Sequence, residues 1–303
     1  QHGAGTANSL ISSVKTAIDI MTDKMNVNLN ILTIPGIRDP YITDYAAKRV
    51  REYGLALYVM DIPAYDDENV RLYDDSTSRP DITNTAKQFD SRALDNNYAA
   101  TYFPDIIADD PVNRRRVKLP ASIAALAALA LNDRVAYPWY APAGFNRASL
   151  EFVKNVSVRV NGSDRNTLDD ARINPIAPHP PRQFVIFAQK TLQQADTALN
   201  RVNVRRLVVE VKRQVVDIAN RLSFEQNTPE IRNKFVSDVS VRLGLIQAQF
   251  GVESFNVIMD ERNNTEQDAN DNRVNGRIEI TPTRAIEKIG IDFIITNSGV
   301  DFI

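Results

Sequence analysis

The chain has no cysteine, two histidines, one tryptophan and only 11 glycines among its 303 residues. Each scarcity removes a class of chemistry. Without cysteine there can be no disulfide and no thiolate metal site, so packing alone must hold the fold. Two histidines leave little for a histidine-based metal site or a Ser-His-Asp triad. His2 lies in the terminal stretch, and His179 sits in Pro178-His179-Pro180-Pro181, a loop setting. The glycines form no Gly-x-Gly-x-x-Gly or Walker phosphate cradle, and Gly-x-Ser-x-Gly is absent. A basic surplus is missing too. Net charge is −2, which speaks against nucleic-acid binding. The one dense basic run, Asn113-Arg114-Arg115-Arg116-Val117-Lys118, lies beside Asp105, Asp109 and Asp110 and reads as a solvated face. No apolar run approaches the roughly 20 residues of a membrane span, so no membrane insertion is expected. The longest, 123–131, is an alanine-leucine helix of core type. The chain opens Gln1-His2-Gly3 without Met, so a fragment or processed product is expected and silence about targeting carries no weight.

Carboxylates are plentiful, and they read as loop acids. Asp268, Asn270, Asn272 and Glu279 fall at positions 1, 3, 5 and 12 of an EF-hand loop. The position that must be glycine is Arg273, which sets a cation and a side chain where tight backbone is needed. The stretch is therefore expected to be an Asx-rich surface loop ending at the Asn275-Gly276 turn. Asp66-Asp67-Glu68, Asp74-Asp75, Asp109-Asp110 and Asp169-Asp170 each lie in loop-like sequence. No residue is assigned as catalytic, cofactor-binding or metal-binding, and no cofactor is expected.

Apolar residues make up 43% and charged residues 24%, as in a soluble globular protein, and the length suits two domains. Leu10, Ile11, Val14, Ile18, Met21 and Met25 fall on one helical face. A strand over 29–34 stops at Pro35-Gly36. Thr43 can cap a helix through Tyr53, closed by Gly54. The run 55–60 suits a buried parallel strand. A helix over 85–94, a strand over 98–107 and a helix opened by Pro120 complete a β-α-β-α-β order. Residues 132–144 form a fixed irregular loop around Trp139, most simply a packing corner. Polar, proline-bearing sequence over 161–181 marks the domain boundary. Beyond it a strand over 184–188 precedes long helices over 202–222 and 229–250, the second opened by Thr228-Pro229-Glu230. Strands follow over 254–259 and 277–282. Ile289, Ile291, Phe293 and Ile295 then alternate with Gly290, Asp292, Ile294 and Thr296, so one face is expected to be buried. The expected fold class is α/β plus α+β. An α/β domain over 1–165 would carry a partly parallel sheet. An α+β domain over 166–303 would pack two long helices on a mainly antiparallel sheet.

Several short motifs stand in one order. Ile34-Pro35-Gly36-Ile37-Arg38-Asp39-Pro40 precedes Met60-Asp61-Ile62-Pro63, then Asn97-Tyr98-Ala99-Ala100-Thr101-Tyr102-Phe103-Pro104 and Val117-Lys118-Leu119-Pro120-Ala121-Ser122. Pro138-Trp139-Tyr140-Ala141-Pro142-Ala143-Gly144 follows, then Ile173-Asn174-Pro175-Ile176, Phe187-Ala188-Gln189-Lys190-Thr191-Leu192, Arg201-Val202-Asn203-Val204-Arg205-Arg206-Leu207 and Phe224-Glu225-Gln226-Asn227. Asn263-Asn264, Gly276-Arg277-Ile278 and Pro282-Thr283-Arg284 close the series. Across about 29–296 this order resembles the contractile tail sheath proteins of tailed bacteriophages, the myovirus-type family. It is more distantly similar to sheaths of bacteriocin and secretion-type machines. Arg182-Gln183 stands where the family often has a glycine, and the family's N-terminal arm is not evident.

The resemblance implies a structural, non-enzymatic subunit of the virion tail, assembled in the host cytoplasm. Its implied partners are further copies of itself in stacked rings, the tail tube, the baseplate and the tail terminator, with no nucleic acid. Head-to-tail contacts that do not close generate a helix. Strand addition would tie neighbours, with 289–295 as the expected sheet. Contraction would rebuild contacts between nearly rigid subunits and drive the tube through the envelope without nucleotide. The alternatives are the sheath of a bacterial contractile injection system, a tail component such as a baseplate or receptor-binding part, and an α/β-fold hydrolase.

Overall fold

A computed structural model describes residues 8–302 apart from 75, 180–182, 223, 262, 266, 269–272, 288–292, 297 and 298. Its centre is a five-stranded mixed sheet. The strands, in spatial order, are β1 (Ile31–Thr33), β2 (Leu57–Met60), β5 (Ala99–Phe103), β9 (Ile173–His179) and β10 (Gln183–Ile186). The first four run parallel and β10 returns antiparallel. Every residue of β2 and β5 is buried, which explains their nearly continuous apolar sequence: parallel strands are covered on both faces.

One face carries α1 (Ser9–Met21), α2 (Pro40–Tyr53), α3 (Ile82–Asp90) and α5 (Gly162–Asp170). Tyr58, Met60, Ala99, Phe103 and Ile173 meet them. The alternate residues Leu57, Val59, Ala100, Tyr102 and Ile176 point the other way, as a strand's period of two requires. There they pack on α4 (Ala121–Val135) and on a three-stranded antiparallel sheet of β6 (Ile106–Asp110), β7 (Arg115–Leu119) and β8 (Val153–Val156). Buried Ala124, Ala125 and Ala128 line the inner side of α4 and let it lie close to the strands. A small hairpin of β3 (Ala64–Tyr65) and β4 (Arg71–Leu72) projects after β2.

Two long helices follow, α6 (Val202–Leu222) and α7 (Pro229–Ala248). With the antiparallel pair β11 (Val252–Ile258) and β12 (Arg277–Pro282) they enclose a third core of Leu207, Val211, Ile218, Phe235, Val239, Leu243 and Ile246. Strands β13 (Phe293–Thr296) and β14 (Gly299–Phe302) form a terminal antiparallel hairpin.

The mixed α/β character matches expectation, and several elements differ in detail. α2 begins three residues before Thr43, because the Asp39 side chain accepts from the Tyr41 N–H and Pro40 occupies the first turn. α3 spans 82–90 because Asp81 caps it, accepting from the Asn84 N–H at 2.7 Å. The strand expected over 98–107 is two strands in two sheets, β5 and β6, separated at Pro104, which has no N–H to give a ladder. The polar stretch over 161–181 is not an open linker. It holds α5, closed by a capping box between Asn161 and Asp164, and then β9. β9 and β10 complete the sheet begun in the first half, so a cut between 165 and 166 crosses one hydrogen-bonded sheet. Ile289 and Ile291 of the expected alternating strand lie outside the described residues.

Candidate assembly surfaces

The residues weighed for chemistry do not converge. His179 ends β9, where its ring packs 4.2 Å from that of Phe145. His2 lies outside the described residues. The carboxylate of Asp268 is occupied by the protein's own donors. The Thr265 N–H and hydroxyl reach one oxygen at 2.9 and 2.7 Å, and Arg273 reaches the other at 2.6 Å. These bonds hold its pKa well below the usual carboxylate range, the Thr265 N–H contributing most. The residue at the expected glycine position thus takes the place of a cation. Asn270 and Asn272 lie outside the described residues, and Glu279 is on β12.

The acid pairs are scattered. Asp66 accepts from the N–H groups of Glu68 and Val70 to shape the β3–β4 turn. Asp74 pairs with Arg38 at 3.1 Å, Asp169 with Lys190 at 2.7 Å, and Asp109 with Arg116 at 3.6 Å. Asp75 lies outside the described residues. The basic run forms β7 and the turn before it, exposed and opposite acid-bearing β6, which is the solvated face that was expected.

Trp139 is a packing residue. Its indole N–H donates to the Gln249 carbonyl at 3.1 Å, its ring stacks on Tyr137 at 5.0 Å, and Gly251 lies against its edge. It joins the irregular loop to the corner between α7 and β11.

Four polar anchors went unnoticed in the sequence. Asp61, 3% exposed, follows β2 and accepts from the Gly36 N–H at 2.9 Å, the Ser122 N–H at 2.9 Å and the Ser122 hydroxyl at 2.7 Å. α4 has no side-chain cap of its own, because Pro120 occupies that position. Asp61 supplies the acceptor from another element, and helix N-termini favour an anion. Burial nonetheless raises its pKa, and the donated hydrogen bonds oppose that rise only in part. Arg205 and Arg206 open α6, both buried. Arg205 lies 3.9 Å over the Tyr98 ring, and Arg206 meets Asp133 at 2.5 Å. About two helical turns on, Arg213 donates to the carbonyls of Leu29 and Leu55, each at 2.9 Å. Cations at this spacing in a helix read as solvated; only tertiary placement shows them fastening α6 to the sheet layer.

What the molecule offers to partners is open backbone. Among the described residues, β11 pairs only with β12, and β13 only with β14. In β12 the residues Arg277, Glu279 and Thr281 are exposed while Ile278 and Ile280 turn toward the helix pair. The inner face is thus satisfied, and the outer edges carry unladdered N–H and C=O groups, the natural templates for strand addition.

No protein-family model matches the chain. The tail sheath protein of Vibrio phage KVP40 is 34% identical over 211 residues, 69% of this chain and 30% of that protein. The tail sheath protein of Enterobacteria phage T4 is 29% identical over 212 residues, 69% of this chain and 31% of that protein. The chain thus spans about 30% of the length of the curated relatives it matches. Among solved structures, the baseplate of the anti-feeding prophage aligns with TM-score 0.72 at 18% identity, covering 97% of this chain and 74% of that one. The contracted sheath complex of the extracellular contractile injection system PVC aligns with TM-score 0.72 at 17% identity, covering 95% and 75%. Over 69% of its length the chain is therefore a homologue of phage tail sheath proteins, and its fold is that of contractile sheath structures.

Proposed function

We propose that this chain is the sheath-forming part of a contractile phage tail subunit. It polymerises helically around the tail tube and contracts to drive the tube through the host envelope during genome ejection. The observation that carries this is the joint match to phage tail sheath proteins in sequence and to contractile assemblies in fold. The open-edged pairs β11–β12 and β13–β14 supply the means. A strand from a neighbour would add main-chain hydrogen bonds along an edge, tying copies without fixing their orientation rigidly. The stretches 1–165 and 166–303 are coupled halves in this reading. The second gives two strands to the first half's sheet, then builds the helix pair and hairpins that face neighbours. Work is done by exchange of contacts between subunits and calls for no cofactor or catalysis. The tail tube, baseplate and tail terminator are the expected partners besides the chain itself, in the virion after assembly in the host cytoplasm. Nucleic-acid binding and membrane insertion have no place in it.

A bacterial injection-system sheath is the second reading, favoured by the source of the structural neighbours. The phage reading leads because the 34% sequence identity is to a phage protein, against 17–18% for those neighbours. Negative-stain electron microscopy of the chain in its full-length protein tests both. Striated tubes of uniform width are expected. Monodisperse particles at high concentration would overturn the sheath reading.

A further inference from the structure

A cleft of about 1100 Å³ lies between the Trp139 loop, α5, the start of α6 and the segment 283–287 that leaves β12. Five cations line it against two acids. Two cations are neutralised: Lys190 by Asp169, and Arg201 by Glu287, which takes the Arg201 Nε and Nη2 at 2.7 and 2.9 Å. Arg147, Arg165 and Arg284 have no carboxylate partner among the described residues. Arg165 lies over Phe187 at 4.5 Å and Arg147 over Tyr140 at 5.4 Å, so ring faces hold both guanidinium groups in place. Arg147 also donates its Nε to the Ala141 carbonyl at 3.0 Å, which leaves its terminal N–H groups for a ligand. At the floor, Asn203 is 4% exposed. Its amide nitrogen donates to the Trp139 carbonyl at 3.2 Å, but its Oδ1 has no partner. A buried acceptor left unpaired is costly unless something donates to it. The cleft therefore offers three arginines without carboxylate partners beside a polar floor, which suits the carboxylates of an acidic peptide segment.

The chain carries such a segment elsewhere on its surface. The β3–β4 turn presents Asp66-Asp67-Glu68 with Val70 55% exposed beside it. Asp66 accepts two backbone N–H groups within the turn, which fixes its shape. A second exposed acidic turn, at Asp109 and Asp110, is offset by Arg114, Arg115 and Arg116 and offers no net negative charge. We propose that the cleft is a docking site for an acidic segment, and that its occupant is the β3–β4 turn of a second copy. Cleft and turn are different patches, so the contact is heterologous and propagates without closing on itself. The choice of a second copy as occupant rests on the sheath reading; the cleft's preference for an acidic segment does not.

Trp139 lines the cleft and is the only tryptophan, so its fluorescence reports occupancy directly. The chain is titrated with a peptide of residues 64–74 and with the same peptide carrying Asn and Gln in place of Asp66, Asp67 and Glu68. Saturable change is expected with the acidic peptide, at least about tenfold tighter than with the amide peptide and weakened by added salt. An Arg165→Glu/Arg284→Glu variant, shown folded by its circular dichroism, should lose the response. Absence of a response to the acidic peptide, or an equal response to the amide peptide, overturns the proposal whether or not the chain forms tubes. In the full-length protein, Asp67→Lys/Glu68→Lys and Arg165→Glu/Arg284→Glu should each reduce assembly, and a chain carrying both sets should regain it. Full assembly by each variant alone would overturn the choice of a second copy while leaving the sheath reading intact.

Discussion

At the scale of single residues the fold depends on a few polar and aromatic side chains in apolar surroundings. Asp61 joins the Pro35-Gly36 turn, the end of β2 and the start of α4 through three accepted hydrogen bonds. Its pKa is raised in the folded chain, so the folded state holds the proton more tightly than the unfolded one. The resulting contribution is fully present below the ordinary aspartate value of about 3.9 and is lost as pH rises through the raised value. In that window the melting temperature of the wild type should decline with pH, and the Asp61→Asn variant should lack this part of the slope. Parallel slopes for the two proteins would contradict the assignment. Trp139 and Gly251 form a second critical pair. A Cβ on Gly251 would stand 2.5 Å from Ile246 Cγ2 and 3.1 Å from the indole, so Gly251→Ala should cost about 1–3 kcal/mol by overpacking. Trp139→Ala should cost roughly 3–5 kcal/mol through the cavity it leaves. Urea denaturation measures both. A Trp139→Ala protein as stable as wild type would contradict this packing role.

At the scale of elements, helix starts are set by caps that local sequence names only when the right residue is chosen. Asp39 outcompetes Thr43 because it is followed directly by Pro40, whose missing N–H costs nothing in the first turn. α5 has a weak apolar pattern, with Leu168 its one buried residue, so periodicity did not reveal it. Its capping box is the signal that was present in the sequence. Asn161→Ala should therefore destabilise the chain by about 1 kcal/mol in the same denaturation experiment. The strand β9 was hidden for another reason, whereas β10 matches the strand expected over 184–188. Prolines 175 and 178 sit within β9 and made the stretch read as a domain boundary, yet the sheet tolerates them with β5 on one side and β10 on the other.

At the scale of the whole molecule, a two-faced sheet layer is fastened to a helix pair by α6, and the two-stranded pairs β11–β12 and β13–β14 lie toward the C-terminal end of the chain. Truncation after Glu287 removes β13–β14 and keeps all three cores. We expect the truncated chain to melt within a few degrees of the intact one and to form no tubes by electron microscopy. Tubes from the truncated chain would shift strand addition to β11–β12 alone.

Local pattern and motif order determined a good deal. Apolar stripes named α6 and α7, and a near-continuous apolar run named β2, because each follows from the periodicity of one element. The motif order from Ile34 to Arg284 was enough to mark a contractile sheath. Tertiary structure alone decided that residues 173–186 join the first half's sheet, that Arg205 and Arg206 are buried rivets, that Asp61 caps a helix sixty residues away, and that three arginines and Asn203 share a cleft. These are contacts between elements distant in the chain. Their energies depend on which surfaces meet, which no local periodicity encodes.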